Sequence, residues 1–449
     1  MSATDAPEEL LREAEKVRQA LRLGVRRAFV LEFTGTPKAG KTSVLATLQA
    51  FFKSAGFKVS VLKERAAECP LAMKGHFFFN AWTMSTMLAE VLASLETDAD
   101  LLLLDRGFLD ALIWLELQSA RQQVSDDEKD TFTKFVLLPR WRSLIDYTII
   151  MKTRPEVAVQ RENQALLVPR KGTLMNEPAL AAFNEAMARV ELAQRENFQF
   201  LEIDTSDTQS ARESCIQVLH ATLPVLYAWA NPKVTVIRRA DLDRVFQSHL
   251  FLDKDEAAEG LARLSQLAFL MPRVEAEKDP EFLQLVVGGI PLRANGDILV
   301  FRRDPADEKS TSYGRMTIWK GCHVQIEPAS LTGAGLSEAL VKRLHEGLHI
   351  KTSLSPELIG IAAPMPNEGS SDKLRLRHRH IGILHRVVLP DAVAETLHEK
   401  EFRRSGRIHP FSGDFRTQVQ IIEQLEQPLD DLRLEPWSKY LIKNVRIDA

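Results

Sequence analysis

The spacing of hydrophobic positions changes partway along the chain, and the change divides it. Near the start, Leu10, Leu11, Ala14, Val17 and Leu21 recur three or four residues apart among charges, which predicts an amphipathic helix over 5–23. Residues 28–34 read Ala-Phe-Val-Leu-Glu-Phe-Thr, a strand of the buried type. A helical pattern follows over 41–55, and 57–62 alternates as a second strand. Helix is expected over 75–95. The runs 101–104, 147–151 and 198–203 are short and apolar, as in strands that a parallel sheet buries on both faces. Alternation of strand with helix predicts an α/β domain whose parallel sheet is covered on both sides.

Beyond Asn231-Pro232-Lys233, a breaker expected to serve as linker, the texture differs. Helix is expected at 257–270 and 336–348. Strands are expected at 282–287, 298–302, 316–319, 358–362 and 380–389. This predicts an α+β second domain with its own core. The expected divisions are an N-terminal helix over 1–24, a first domain over 25–228 and a second over 234–449, with no internal repeat.

A length of 449 residues supports two or three cores of ordinary size. Hydrophobic residues at 45% and charged residues at 27% describe a soluble globular chain. A net charge of −3 gives no global reason to expect a nucleic-acid partner. Cys69, Cys215 and Cys322 lie far apart and form no CxxC pair, which argues against a disulfide scaffold or a structural zinc site and fits a cytoplasmic protein. The acidic first residues lack the apolar stretch of a secretory signal, and no apolar run reaches the roughly 18 residues that a membrane span requires. No membrane partner is expected.

Candidate chemistry begins at Gly35-Thr36-Pro37-Lys38-Ala39-Gly40-Lys41-Thr42-Ser43, a complete GxxxxGK[ST] between a buried strand and a helix. Glycines let backbone N–H groups turn inward around phosphate oxygens, and the helix points its positive end at the anion. Lys41 would reach the β- and γ-phosphates, and Thr42 would offer its hydroxyl to Mg²⁺. Lys38 is either a second cation near the phosphates or solvated. The strand 101–104 then delivers Asp105 and Arg106 at its carboxyl end, where ligands sit in open α/β sheets.

With these motifs, residues 25–225 resemble the nucleoside and nucleotide kinases, thymidylate and deoxynucleoside kinases in particular. The resemblance implies a P-loop parallel-sheet fold, ATP as donor and Mg²⁺ as cofactor. It also implies Asp105 as the metal-organising carboxylate, Arg106 as a contact to the acceptor or its phosphate, and a homodimer. Lys63-Glu64-Arg65 contains both a carboxylate, the base in deoxynucleoside kinases, and an arginine, the acceptor-phosphate contact in thymidylate kinases. Glu64 and Arg65 therefore leave the choice between nucleoside and nucleotide open. Phe78 and Trp82, four residues apart on one helix face, either stack an acceptor base or fill core, and Phe108 and Trp114 share that ambiguity. Arg154, Arg161, Arg170 and Lys171 resemble the cations of a mobile lid, with 166–173 as its loop. Placed positive charge is what a loose phosphoryl-transfer transition state needs.

In the second half, Trp319-Lys320-Gly321-Cys322-His323 and the stretch from Gly333 to Ile350 resemble the Nudix hydrolases. Glu338 matches that family's helix, but Arg343 and Gly347 stand where it has metal-binding glutamates, leaving Glu346. Magnesium ions on a diphosphate need several carboxylates together, so a Nudix-like fold with lost or rebuilt catalysis is expected. His323, His345, His349, His378, His380 and His385 crowd this half without tight ligand spacing. Residues 373–380 are expected to form a strand with one basic face. The leading expectation is an ATP–Mg²⁺-dependent phosphotransferase acting on a nucleoside or nucleoside monophosphate. Its rivals are a regulatory P-loop NTPase and a Nudix-type diphosphate hydrolase.

Overall fold

The computed structural model describes residues 7–22, 27–71, 76–95, 97–165, 174–207, 210–302, 316–348, 352–364, 379–398, 401–404, 407–410, 413–426 and 434–447. The chain folds as two compact units, Met1–Ala230 and Asn231–Ala449.

The first unit is built on β1 (Phe29–Gly35), β2 (Val59–Leu62), β3 (Leu101–Asp105), β4 (Tyr147–Lys152) and β5 (Phe200–Asp204). They form one sheet in the order β2-β3-β1-β4-β5, and every pairing is parallel. The helices are α1 (Glu8–Leu21), α2 (Lys41–Ser54), α3 (Phe77–Ser94), α4 (Phe108–Ala120), α5 (Asp126–Val136), α6 (Pro139–Arg142), α7 (Pro155–Ala165), α8 (Glu177–Ala193) and α9 (Ala211–Ala230).

All seven residues of β1 are buried, because the strand serves two cores at once. Phe29, Leu31 and Phe33 join Leu10, Leu45, Leu48 and Leu219 on one side. Val30 joins Leu102, Leu104, Met84, Leu112 and Phe183 on the other. Alternate side chains of a strand point to opposite faces, so a doubly covered strand reads as one apolar run. Helix α1 lies in the first of these cores through Leu10, Ala14 and Val17 and is part of the unit.

The chain places β2 and β3 on one side of β1, then crosses over to place β4 and β5 on the other. That switch leaves a crevice outside the carboxyl ends of the central strands. Two strands begin later than the apolar pattern suggests. Lys58 lies outside β2 and gives its N–H to the Asp100 carboxylate at 2.7 Å, and β5 starts at Phe200.

The second unit is a mixed ten-stranded sheet centred on Phe282–Leu292, which is antiparallel to Lys320–His323 and parallel to His380–Val388. The central strand runs well past the expected 287. Gly288 lies inside it, where glycine makes room for a ring: a Cβ on Gly288 would lie 2.9 Å from Trp319. Gly382 makes the same room for Trp437. The helix Gly333–Leu348 buries Leu336, Leu340 and Leu344 in the main core of the unit. Of the expected strand 316–319 only Met316–Thr317 is strand, and a separate strand, Lys320–His323, follows. The expected helix 257–270 is Lys254–Leu267, started by an Asp253 capping box and followed by the strand Phe269–Pro272. The division between the units falls at Ala230–Asn231, where the breaker stands, and residues 231–233 are built into the second unit. Asn231 is buried and accepts the Val274 N–H at 2.8 Å, and Lys233 opens a strand. Most of 373–380 lies outside the described residues. Among the described residues, no helix is long and apolar enough to cross a membrane.

Candidate functional site

Strand β1 ends at Gly35, with φ +127°, where a side chain would run into the Met151 backbone. The Thr36 N–H donates to the Met151 carbonyl at 3.0 Å and the Ala39 N–H to the Thr36 carbonyl at 3.1 Å. Lys38 and Gly40 take left-handed backbone conformations, φ 63° and 94°, before α2 starts at Lys41. Gly40 adopts this conformation without penalty, whereas Lys38 is held in it by the turn.

The Lys41 side chain is only 6% exposed and curls back over the loop, donating to the carbonyls of Gly35 at 2.9 Å and Thr36 at 2.8 Å. Burial pushes its ammonium pKa down to about 7, with help from the Arg106 charge and against the pull of Asp110, Asp105 and Glu64. A bound polyanion would favour the charged form, so this lysine gains most when phosphate arrives.

The Thr42 hydroxyl, one residue on, donates to Asp105 Oδ2 at 2.9 Å. Loop and β3 thereby bring together the two residues expected to handle metal. Both offer hard oxygen, which suits Mg²⁺. Among the described residues no three His, Cys, Asp or Glu side chains gather to cage an ion. A Mg²⁺ here would rest on Thr42, Asp105, water and substrate phosphate, the usual arrangement for that ion.

Arg106 sits at φ 71°, its N–H bonded to the Phe33 carbonyl at 2.8 Å. Its guanidinium lies between Glu64, at 2.7 Å from Nε, and Asp110, at 3.0 Å from Nη1. Burial works against its charge, but Asp110, Glu64 and Asp105 outweigh that and hold its pKa above the usual range. Asp110 also accepts the Thr34 hydroxyl at 2.7 Å. Glu64 and Arg106 therefore meet, while Arg65 turns away to pair with Glu68 and with Glu90 of α3.

On the outer side of the loop, Arg161 of α7 reaches the Lys38 carbonyl at 3.3 Å and Thr205 at 3.2 Å (Oγ1) and 2.5 Å (carbonyl). Thr205 in turn donates to the Ala39 carbonyl at 3.0 Å. Lys38 pairs with Glu162 of α7 at 2.7 Å. Arg154 is half-exposed and pairs with Asp207 at 3.0 Å and Glu156 at 3.2 Å. Arg170, Lys171 and the loop 166–173 lie outside the described residues.

Phe78 is 64% exposed, against the His76 ring, and Trp82 is half-buried. Phe108 is buried in the core and Trp114 stands edge-on to Phe183 there, so those two rings serve packing.

Four residues of the site escaped the sequence reading. Asp110 is buried against Arg106, and Glu32 is buried against the first turn of α4. Asn184 of α8 accepts the Thr36 hydroxyl at 2.7 Å and donates to the Thr153 carbonyl at 3.1 Å, and Thr205 braces Ala39. A lone acid inside an apolar strand marks Glu32, and helical i,i+4 spacing from Arg106 marks Asp110. Asn184 and Thr205 carry no local signal.

In the second unit, Glu338 is exposed, Arg343 donates to the Gly321 carbonyl at 3.4 Å, and the Glu346 side chain lies outside the described residues. His323 and His380 meet through their Nε2 atoms at 3.2 Å. Burial first, then Arg273 and His380, push the His323 pKa well below the usual range. His345 contacts the Thr352 carbonyl, His385 is buried, and His349 and His378 lie outside the described residues.

No protein-family profile matches the chain, and no curated protein sequence matches it. Solved structures similar to it include deoxyadenosine kinase from M. mycoides with bound dCTP, at 18% identity and TM-score 0.34, covering 44% of this chain and 99% of that one. The same enzyme with bound dATP matches at 16% identity and TM-score 0.35, with the same coverage. A protein provisionally assigned as a Nudix hydrolase matches at 17% identity and TM-score 0.30, covering 47% of this chain and 96% of that one. Likenesses of this size carry no weight for the chemistry, which rests on the geometry above.

Proposed function

We propose that the first unit is an ATP–Mg²⁺-dependent phosphotransferase whose acceptor is a nucleoside or nucleoside monophosphate, and that the second is a Nudix-like domain that senses or binds rather than catalyses. One observation carries the first part. The buried Lys41 ammonium inside the loop and the Thr42–Asp105 hydrogen bond at its helix end stand together beside the Glu64–Arg106 pair. A phosphate cradle, a metal corner and an acid–cation pair at one strand end are the parts that in-line phosphoryl transfer needs.

In this reading Lys41 and the loop amides hold the donor phosphates. Thr42 and Asp105 would hold Mg²⁺, whose chemistry is to draw charge from the phosphates. Arg161 braces the loop. Glu64, once released from Arg106 by the arriving acceptor, takes the proton of the attacking hydroxyl. Charge favours a neutral acceptor over a phosphorylated one. Arg65 is already matched by Glu68 and Glu90, and Arg106 by Glu64 and Asp110. The same Glu64–Arg106 pair supports a second reading, a regulatory NTPase whose acceptor side is closed. ATP consumption with Mg²⁺, across a panel of nucleosides and their monophosphates, decides between the two. Stimulation by one panel member, with a new phosphorylated product, is the expected result. Steady ATP loss that no acceptor accelerates replaces the transferase with the NTPase.

A further inference from the structure

Glu32 occupies the middle of β1, flanked in register by Leu104 and Thr148 of the neighbouring strands, and is fully buried. Its Oε1 accepts the N–H of Leu109 at 2.9 Å and that of Asp110 at 3.3 Å, so it closes the first turn of α4. A Cβ on Gly107 would fall 2.8 Å from its carboxyl carbon, so the turn leading into α4 is fitted closely around this side chain. Its Oε2 is buried with no hydrogen-bond partner among the described residues. A buried acid with an orphaned oxygen is costly, and an apolar residue would suit this strand better on packing grounds alone.

The compensation lies one step away. The turn that Glu32 holds carries Asp110, which takes the Thr34 hydroxyl and grips the Arg106 guanidinium. Arg106 itself keeps a left-handed backbone, a conformation that persists only where the surroundings fix it. Its N–H is tied to Phe33 on one side, and Glu32 fixes the start of α4 on the other.

We propose that Glu32 is the positioning residue of the acceptor side of this site: by tying the first turn of α4 to the central strand it fixes Asp110, and through Asp110 the guanidinium of Arg106. The kinetic consequence rests on the phosphotransferase reading; the tie itself does not. Burial, with Asp110 adding to it, pushes the Glu32 pKa up to about 8, so the hydrogen-bonding form at neutral pH is the uncharged acid. A glutamine can therefore replace it, because its carbonyl accepts the same two N–H groups.

The test uses the full chain with Glu32→Ala and Glu32→Gln, read two ways. In kinetics, Glu32→Ala raises the acceptor KM about tenfold or more, as misplaced contacts do, while affinity for a fluorescent ATP analogue stays within about threefold. Glu32→Gln stays within about threefold of the parent in both. In hydrogen exchange followed by mass spectrometry, Glu32→Ala speeds exchange about tenfold in the peptide covering 106–112 but not in the peptide covering α2. Gly107→Ala keeps Glu32 and crowds its carboxyl. It gives the same signature and serves if Glu32→Ala does not fold. Faster exchange at 106–112 in a protein that phosphorylates no acceptor keeps the tie and discards the transferase. Unchanged exchange there, or equal loss of ATP and acceptor binding, overturns the proposal.

Discussion

The two units bury polar groups in different ways. In the first, besides scattered groups such as Asn80, Gln118 and Thr222, Lys41, Asp105 and Asp110 are buried around the carboxyl ends of β1 and β3, and Arg106 lies among them. In the second, Thr235, Gln284 and His385 are buried at separate places, and Thr317, Glu435 and Ser438 form one small group. Thr317, Glu435 and Ser438 knit a helix start to the sheet, with Glu435 taking the Trp319 indole N–H and the Ser438 N–H, each at 2.8 Å. Buried polar groups that complete a fold's hydrogen bonds are ordinary. Several charged groups gathered and partnered in one concavity are expensive and mark chemistry. The contrast is the reason to look for turnover in the first unit.

The largest test of that contrast is Lys41→Ala. It should lower acceptor-stimulated ATP consumption by about a thousandfold or more while thermal unfolding stays cooperative, since it removes the positive charge proposed to face the transferring phosphate. Retained turnover would sink the assignment. Next, Asp105→Asn removes one side of the metal corner. About a hundredfold loss is expected, partly recovered at high Mg²⁺, and a Mg²⁺ titration of the rate is the measurement. Arg161→Ala takes away a brace rather than a ligand, so roughly tenfold in ATP KM is expected, with little change at saturation.

A smaller effect appears in stability against pH. The folded pKa of Glu32, about 8, lies above its unfolded value near 4.5, so folding binds a proton between those values. Its contribution is fully present below pH 4.5 and is lost as pH rises through 8. Lys41 works the other way above pH 7, so the useful quantity is the difference between the parent and Glu32→Gln. The glutamine variant should gain on the parent by up to a few kcal/mol from pH 5 to pH 9, read from denaturant midpoints. A constant difference across that range would show that Glu32 does not titrate there. The smallest effect is expected in the second unit: Arg343→Ala should leave ATP turnover within about twofold. A larger loss would bring that unit into the chemistry and dissolve the contrast.

The loop and the Asp105-Arg106 pair were legible because each is a local event, one strand end followed by one helix start. The parallel sheet was legible for a related reason: doubly buried strands carry uninterrupted apolar runs. Asn184 and Thr205 were not legible, since they reach the loop from 148 and 166 residues away. Glu64 and Arg65 show the limit from the other direction. Neighbours in sequence, they diverge at the end of β2, one toward Arg106 and the other toward α3. In the second unit the strand expected at 282–287 runs on through Gly288 and Gly289 to Leu292, and Gly288 there is a recess for a tryptophan ring.

Arg106 combines two demands in one residue. Its backbone, at φ 71°, favours glycine or asparagine, and its side chain must be a forked cation that meets Glu64 and Asp110 together. Arginine meets the second against the first. Lysine keeps the charge and loses the fork; asparagine relaxes the backbone and loses the charge. Any change at position 106 that eases the backbone therefore gives up the bridge between Glu64 and Asp110.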